Sequence, residues 1–197
     1  MALTKQAKIV QNGELKKLLD YVGRSRHPER DRVIVLLSFK AGLRAKEIAS
    51  VTWRMVTGVD GEMADEIALT NGASKGKRGG RTIPMHPQLR EALQALMAAK
   101  PDKVRHEWPV IYSERGRGYS PTRMSIWFGE RYHALGIKGA SSHSGRRTFI
   151  TMAARKTVEA GGSLRDVQEL AGHSALTTTQ GYIDGSAEAK RNIIKLI

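Results

Sequence analysis

The stretch HSALTTTQGYIDG, residues 173–185, sets Tyr182 nine residues after His173. A tyrosine can pack as an aromatic body or react through its hydroxyl. Tyr182 has Gly181 before it and a polar turn after it, so its neighbours in sequence offer little to pack against. His173 follows Gly172 between two short helical stretches, a setting that suits a structural histidine as well as a catalytic one. HSGRRTF places His143 and Arg146 three residues apart at a helix start, a spacing that puts both on one face. Taken alone, such a pair reads as a solvated helix face. AGLRAKEI puts Arg44 just past Gly42, with Glu47 one turn on and able to hold its guanidinium. The competing reading is a surface ion pair of little energetic worth. SKGKRGGRTIP sets Lys75 and Lys77 near the tip of a predicted hairpin. That tip is either an ordinary solvated turn or a basic finger that reaches into a DNA groove.

These residues need elements to position them. Residues 13–23 carry apolar positions at helical spacing. Pro28 opens a second helix at its first turn, and RVIVLLSFKAGL is apolar almost all round, which predicts the core helix of the domain, stopped by Gly42. A short helix is expected at about 44–50. From Trp53 to Met85 the chain breaks into short strand-like pieces between Gly-rich turns, and PVIYSERGRG adds one more strand and turn. HPQLREALQALMAAK returns to helix, with Leu89, Leu93 and Met97 on one face. Ser120-Pro121 caps a helix to about 135, and further helices are expected at about 144–160, 163–171, 175–183 and 186–196. Ser163 with Asp166 resembles a capping box. The expectation is a mainly α (α+β) fold, helical with a small three-stranded antiparallel sheet, forming a single domain over 1–197 with a tail helix at 186–197.

Composition narrows the partner. Lys and Arg total 33 against 19 acidic residues, a net charge of +14 in 197 residues. A folded domain this basic repels itself unless a polyanion balances it. The basic residues are scattered through ordered-looking segments instead of collected in tails, which favours a nucleic-acid partner over an anionic membrane. No apolar run is long enough to span a bilayer, and the amino terminus lacks an apolar signal core, so a cytoplasmic location is expected. The chain has no cysteine, which excludes disulfides, thiolate metal sites and cysteine nucleophiles.

In their order and spacing the pieces resemble the tyrosine recombinase (phage integrase) family over about residues 13–190. The family pattern is an Arg in a GLR-x-x-E box, a hairpin Lys, His-x-x-Arg, then GH followed nine residues later by Tyr. Here these are Arg44 with Glu47, Lys75 with Lys77 as the alternative, His143 and Arg146, His173 and Tyr182. The resemblance implies a site-specific DNA strand transferase acting on double-stranded DNA through a 3′-phosphotyrosyl intermediate. Arg44 and Arg146 would clamp the non-bridging phosphate oxygens, since fork-like guanidiniums match that geometry. His143 would take the proton of the Tyr182 hydroxyl, and Lys75 would protonate the departing 5′ oxygen. His173 would hydrogen-bond the phosphate, and the hydroxyl of Tyr182 should be exposed to reach it. The covalent bond conserves the energy of the broken one, so the resemblance implies no cofactor and no metal ion.

Most family members carry a helical clamp of about a hundred residues before the catalytic domain. This chain begins almost at the catalytic domain, either as a piece of a longer protein or as a short member akin to the inversion recombinases. The resemblance further implies a monomer in free solution, a tetramer on paired DNA sites, and docking of the tail on a neighbouring subunit; the competing reading is a tail that folds back onto its own domain. Two other functions share much of the pattern: a type IB topoisomerase-like relaxing enzyme, and a non-catalytic DNA-binding regulator on the same fold.

Overall fold

The computed structural model describes residues 6–73, 80–100, 104–114, 116–182, 191, 194 and 195. The hairpin lysines Lys75 and Lys77 and nearly all of the expected tail helix at 186–196 lie outside the described residues. The chain divides into two compact units, residues 1–149 and 150–197.

The first unit is built round one helix. α1 spans Asn12–Val22 and α2 spans Pro28–Lys40. Val33 to Leu37 of α2 are wholly buried in succession, as the all-round apolar pattern predicts. Just past the end of α2, Gly42 takes a left-handed φ of 64°, and Leu43 N–H closes the helix end by donating to the Leu37 carbonyl (3.0 Å). α3, Ala45–Ser50, starts three residues after Gly42, so the glycine turn delivers Arg44 at the mouth of a new helix. α4 (Pro87–Ala98) and α5 (Pro121–Ala134) complete the helical shell. The buried face of α4 is Leu89, Ala92, Leu93 and Leu96; the expected third member, Met97, is only half-buried. Ser120 caps α5 as expected, its Oγ accepting from Arg123 N–H at 3.1 Å.

The sheet is smaller than the pattern predicts. Among the described residues it has two strands, β1 (Glu66–Leu69) and β2 (Arg81–Pro84), paired antiparallel with Ile67 opposite Ile83, both buried. The expected third strand, PVIYSERGRG, forms only isolated bridges, Pro109 with Thr52 and Tyr112 with Gly118. Proline lacks the N–H a ladder needs. Beyond it Ser113 N–H bonds the Arg117 carbonyl (2.7 Å), turning the segment back on itself before a ladder can extend.

α6, Ser144–Lys156, runs from the first unit into the second. Its start is pinned by the extended amino-terminal segment. Val10 N–H donates to Thr148 Oγ1 (2.9 Å), Arg147 donates to the Ala7 carbonyl (2.8 Å), and Lys8 N–H donates to the Gly139 carbonyl (3.1 Å). The helix stops at Lys156, short of the expected 160. Gly161, at φ 69°, and Gly162, whose N–H bonds the Thr157 carbonyl, reverse the chain there. The second unit continues with α7, Leu164–Ala171, and the short α8, Leu176–Gln180. Asp166 accepts from both Ser163 N–H (2.7 Å) and Ser163 Oγ (2.8 Å), as the capping pattern predicts. No helix among the described residues is long and apolar enough to cross a membrane.

Candidate active site

Arg44 and Arg146 are held by the same turn of chain. Arg146 is 3% exposed, and its Nη1 donates to the carbonyl of Gly42 at 2.7 Å. Gly42 stands two residues before Arg44, so one backbone turn positions both guanidinium-bearing residues. Crowding enforces this arrangement. A Cβ on Gly42 would lie 2.4 Å from Phe149 Cδ1, and one on Gly145 would lie 2.2 Å from Ser38 Oγ and 2.8 Å from Ser38 Cβ. α6 therefore approaches α2 through Gly145, and Arg146 follows that contact directly. Burial rules out the solvated-face reading for Arg146. His143, one residue before the helix, is exposed, with its Nδ1 3.5 Å from Ser142 Oγ and its N–H donating to Ser141 Oγ (3.3 Å).

Glu47 is no surface partner. Its side chain is 0% exposed and receives two arginines. Arg44 Nη1 donates to Oε1 (3.0 Å) and Arg44 N–H to Oε2 (2.7 Å). Arg81, at the start of β2, donates Nη1 to Oε1 (2.8 Å) and Nη2 to Oε2 (3.1 Å), a fork on the same carboxylate. Burial by itself would raise the Glu47 pKa; the hydrogen bonds and charge of Arg81, with those of Arg44, outweigh it and hold the carboxyl below its ordinary value. Arg44 retains 23% side-chain exposure and Arg81 only 11%. Of the two cations on Glu47, Arg44 is the one more open to solvent.

Arg81 is a residue the sequence reading missed. One signal was available: a carboxylate in a helix that proves buried needs more than one exposed partner. Glu47 to Arg81 spans 34 residues, however, and no local pattern links them. The base of the hairpin is tight, since a Cβ on Gly80 would fall 2.0 Å from the Leu69 carbonyl oxygen.

The second unit assembles His173 and Tyr182. Gly172, in the left-handed conformation at φ 62°, ends α7 and presents His173. The buried Gln168 clasps it twice through the backbone: His173 N–H donates to the Gln168 carbonyl (3.1 Å), and Gln168 Nε2 donates to the His173 carbonyl (3.0 Å). His173 Nδ1 lies 3.0 Å from the hydroxyl of the fully buried Thr179. The Tyr182 ring stacks on the imidazole, with centroids 5.5 Å apart and planes 25° apart. Tyr182 is thus half-buried where the reading expected exposure. Its missing apolar company is the face of His173, and α8, short and bounded by Gly181, brings the two together. Thr179, like Arg81, was not singled out from the sequence.

With two arginines anchored on one turn in the first unit and a tyrosine stacked on a histidine in the second, the chain can be set beside known proteins. Residues 8–189 match the phage integrase family, and the chain belongs to it. The chain is 29% identical over 189 residues to the tyrosine recombinase XerA of Thermococcus kodakarensis, covering 93% of this chain and 60% of that protein. It is 31% identical over 157 residues to the tyrosine recombinase XerD of Lacticaseibacillus casei, covering 78% of this chain and 50% of that one. The chain thus spans about half to three-fifths of these curated relatives. In fold it resembles the Tn1549 transposon integrase solved in complex with a circular intermediate DNA (TM-score 0.74, 17% identity, 98% of this chain and 67% of that one). It also resembles a XerA recombinase (TM-score 0.69, 20% identity, 96% and 64%).

Proposed function

We propose that this chain is the catalytic part of a site-specific tyrosine recombinase, which cuts and rejoins double-stranded DNA through a 3′-phosphotyrosyl intermediate. The observation that carries the reading is the shared anchoring of Arg44 and Arg146 on the Gly42 turn, within a member of the phage integrase family. A phosphodiester gains negative charge on its non-bridging oxygens as it is attacked, and preorganised guanidiniums stabilise that charge without reorganising.

In this mechanism Tyr182 Oη attacks phosphorus and the bond from phosphorus to the 5′ oxygen breaks. His143 accepts the phenolic proton, and Lys75, or Lys77 in its place, gives a proton to the departing 5′ oxygen. A tyrosine hydroxyl is mostly protonated at neutral pH, so it needs such a base. When Thr179 donates to His173 Nδ1, the neutral imidazole carries its proton on Nε2 and can donate to a phosphate oxygen. A second strand's 5′ hydroxyl then attacks the phosphotyrosine and releases Tyr182. No step is assigned to a cofactor or metal. The net charge of +14 supports a DNA partner through phosphate contacts. The reading includes a cytoplasmic protein that is monomeric when free and tetrameric on paired sites, the tail from Ser186 docking on a neighbour.

The test uses a duplex selected for binding from a random pool and nicked at successive positions, so that a short fragment is lost once cleavage occurs. The chain is expected to become covalently attached in the presence of EDTA, and to exchange strands between two sites. Attachment with supercoil relaxation but no exchange would assign it to the topoisomerase class. Binding without attachment at any nick would make it a DNA-binding regulator.

A further inference from the structure

We propose that Arg81 is a positioning residue that keeps the charge of Arg44 available to the phosphate, by balancing Glu47. The proposal rests on the strand-transfer reading above. Its starting point is a count of charges at a buried carboxylate. Glu47 has no exposed surface, and both of its oxygens are in use: Oε1 accepts from Arg44 Nη1 and Arg81 Nη1, and Oε2 from Arg44 N–H and Arg81 Nη2. Two guanidiniums on one carboxylate leave the group at net +1. With Arg44 alone on Glu47 the pair would be neutral, and a neutral pair attracts a phosphate only weakly.

Geometry divides the roles between the two arginines. Arg81 takes the fork, giving Glu47 two side-chain hydrogen bonds, while Arg44 gives its side chain to one oxygen only. The remaining guanidinium donors of Arg44 are the ones that can meet a ligand, and Arg44 is the more exposed of the two. Arg81 sits with 11% exposure behind the carboxylate and, at the first position of β2, is fixed by the ladder opposite Leu69. Removing Arg81 would leave Glu47 half-satisfied in a buried site. Such a carboxylate draws the nearest cation onto both oxygens, and here that cation is Arg44.

The test compares Arg81→Met, Arg81→Lys and the double variant Arg81→Met/Glu47→Gln with the wild-type chain, at a temperature where melting curves show all of them folded. Covalent attachment to the nicked duplex is timed on three substrates. These are a normal phosphodiester, a methylphosphonate that removes the charge of one non-bridging oxygen, and a 5′-bridging phosphorothiolate whose sulfur leaves without a proton. On the phosphodiester, Arg81→Met is expected to be slower by about 10²-fold, the usual cost of losing one electrostatic donor. Arg81→Lys, which keeps the net charge, should lose far less. The double variant, which restores net +1, should be faster than Arg81→Met although it carries one more lesion. The deficit of Arg81→Met should shrink on the methylphosphonate and persist on the phosphorothiolate.

Equal deficits on the phosphodiester and the methylphosphonate would overturn the proposal. So would rescue by the phosphorothiolate, because Arg81 would then act on the leaving group. Wild-type rates in Arg81→Met would also overturn it while leaving the strand-transfer reading intact. No attachment by the wild-type chain would remove both.

Discussion

Replacing Gly145 by alanine adds one methyl group at the point where α6 crosses α2, next to Arg146. The new Cβ would lie 2.2 Å from Ser38 Oγ, 2.8 Å from Ser38 Cβ and 2.9 Å from Phe39 Cδ2. Turning the Ser38 hydroxyl away relieves the first contact and leaves the second, so the helices must part. Alanine gains about 1 kcal/mol of helix propensity over glycine, and overpacking a core costs about 1–3 kcal/mol. The net destabilisation is up to about 2 kcal/mol, a fall in Tm of roughly 4–8 °C for a domain of this size. The effect on rate should be larger than the effect on stability. Arg146 holds the Gly42 carbonyl at 2.7 Å, and a misplacement of about 1 Å at a catalytic group costs on the order of 10²-fold. The assay is the rate of covalent attachment to the nicked duplex, read beside a thermal melt. Adding Ser38→Gly removes both Ser38 atoms from the new methyl, and should restore much of the rate while lowering Tm further, since glycine inside α2 costs about 1 kcal/mol. A folded Gly145→Ala chain that cleaves at the wild-type rate would refute the reasoning, as would a double variant no faster than the single one.

Three further outcomes are expected. Lys75→Ala should slow attachment far more than Lys77→Ala, with the 5′-phosphorothiolate rescuing the damaged variant; rescue confined to Lys77→Ala would move the general acid two residues along the hairpin. Thr179→Val keeps the shape of the buried side chain and removes the hydroxyl beside His173 Nδ1. It should slow attachment about tenfold, an estimate from one hydrogen bond's worth of free energy, while Thr179→Ser stays near wild type; an active valine variant would mean that the hydroxyl does not orient the ring. The pKa of Glu47 is lowered from 4.5, so the stability it supplies is complete above the unfolded value and is lost as pH falls through the folded one. The Tm difference between wild type and Glu47→Gln should therefore be constant from about pH 6 to 8 and shrink only in acid; a difference that vanishes near neutrality would contradict the buried ion triad.

What the sequence revealed depended on the range of the interaction. α2 was legible because an apolar run ended by glycine is a local signal, and the spacing of Arg44, Glu47, His143, Arg146, His173 and Tyr182 is local within each motif. Glu47 was legible as the partner of Arg44, but its burial and its second arginine were not. α3 has six residues, too few to show which side faces the core, and the second arginine arrives from a strand 34 positions away. The approach of Gly145 to Ser38 was invisible for the same reason: a glycine inside a helix reads as a weak point until the opposing helix is seen. Thr179 hid in a run of three threonines, of which only one faces His173. The strand count failed because Pro109 and the Ser113–Arg117 turn halt a segment whose composition favours a ladder.

The proposed reaction requires that Tyr182 becomes bonded to DNA. The most direct measurement digests the covalent complex with nuclease and protease and identifies the modified peptide by tandem mass spectrometry. A nucleotide linked through its 3′ phosphate to the Tyr182 oxygen is expected in the wild-type chain, and no adduct with Tyr182→Phe, whose DNA binding should stay close to normal. An adduct on another residue, or one that persists in Tyr182→Phe, would contradict it.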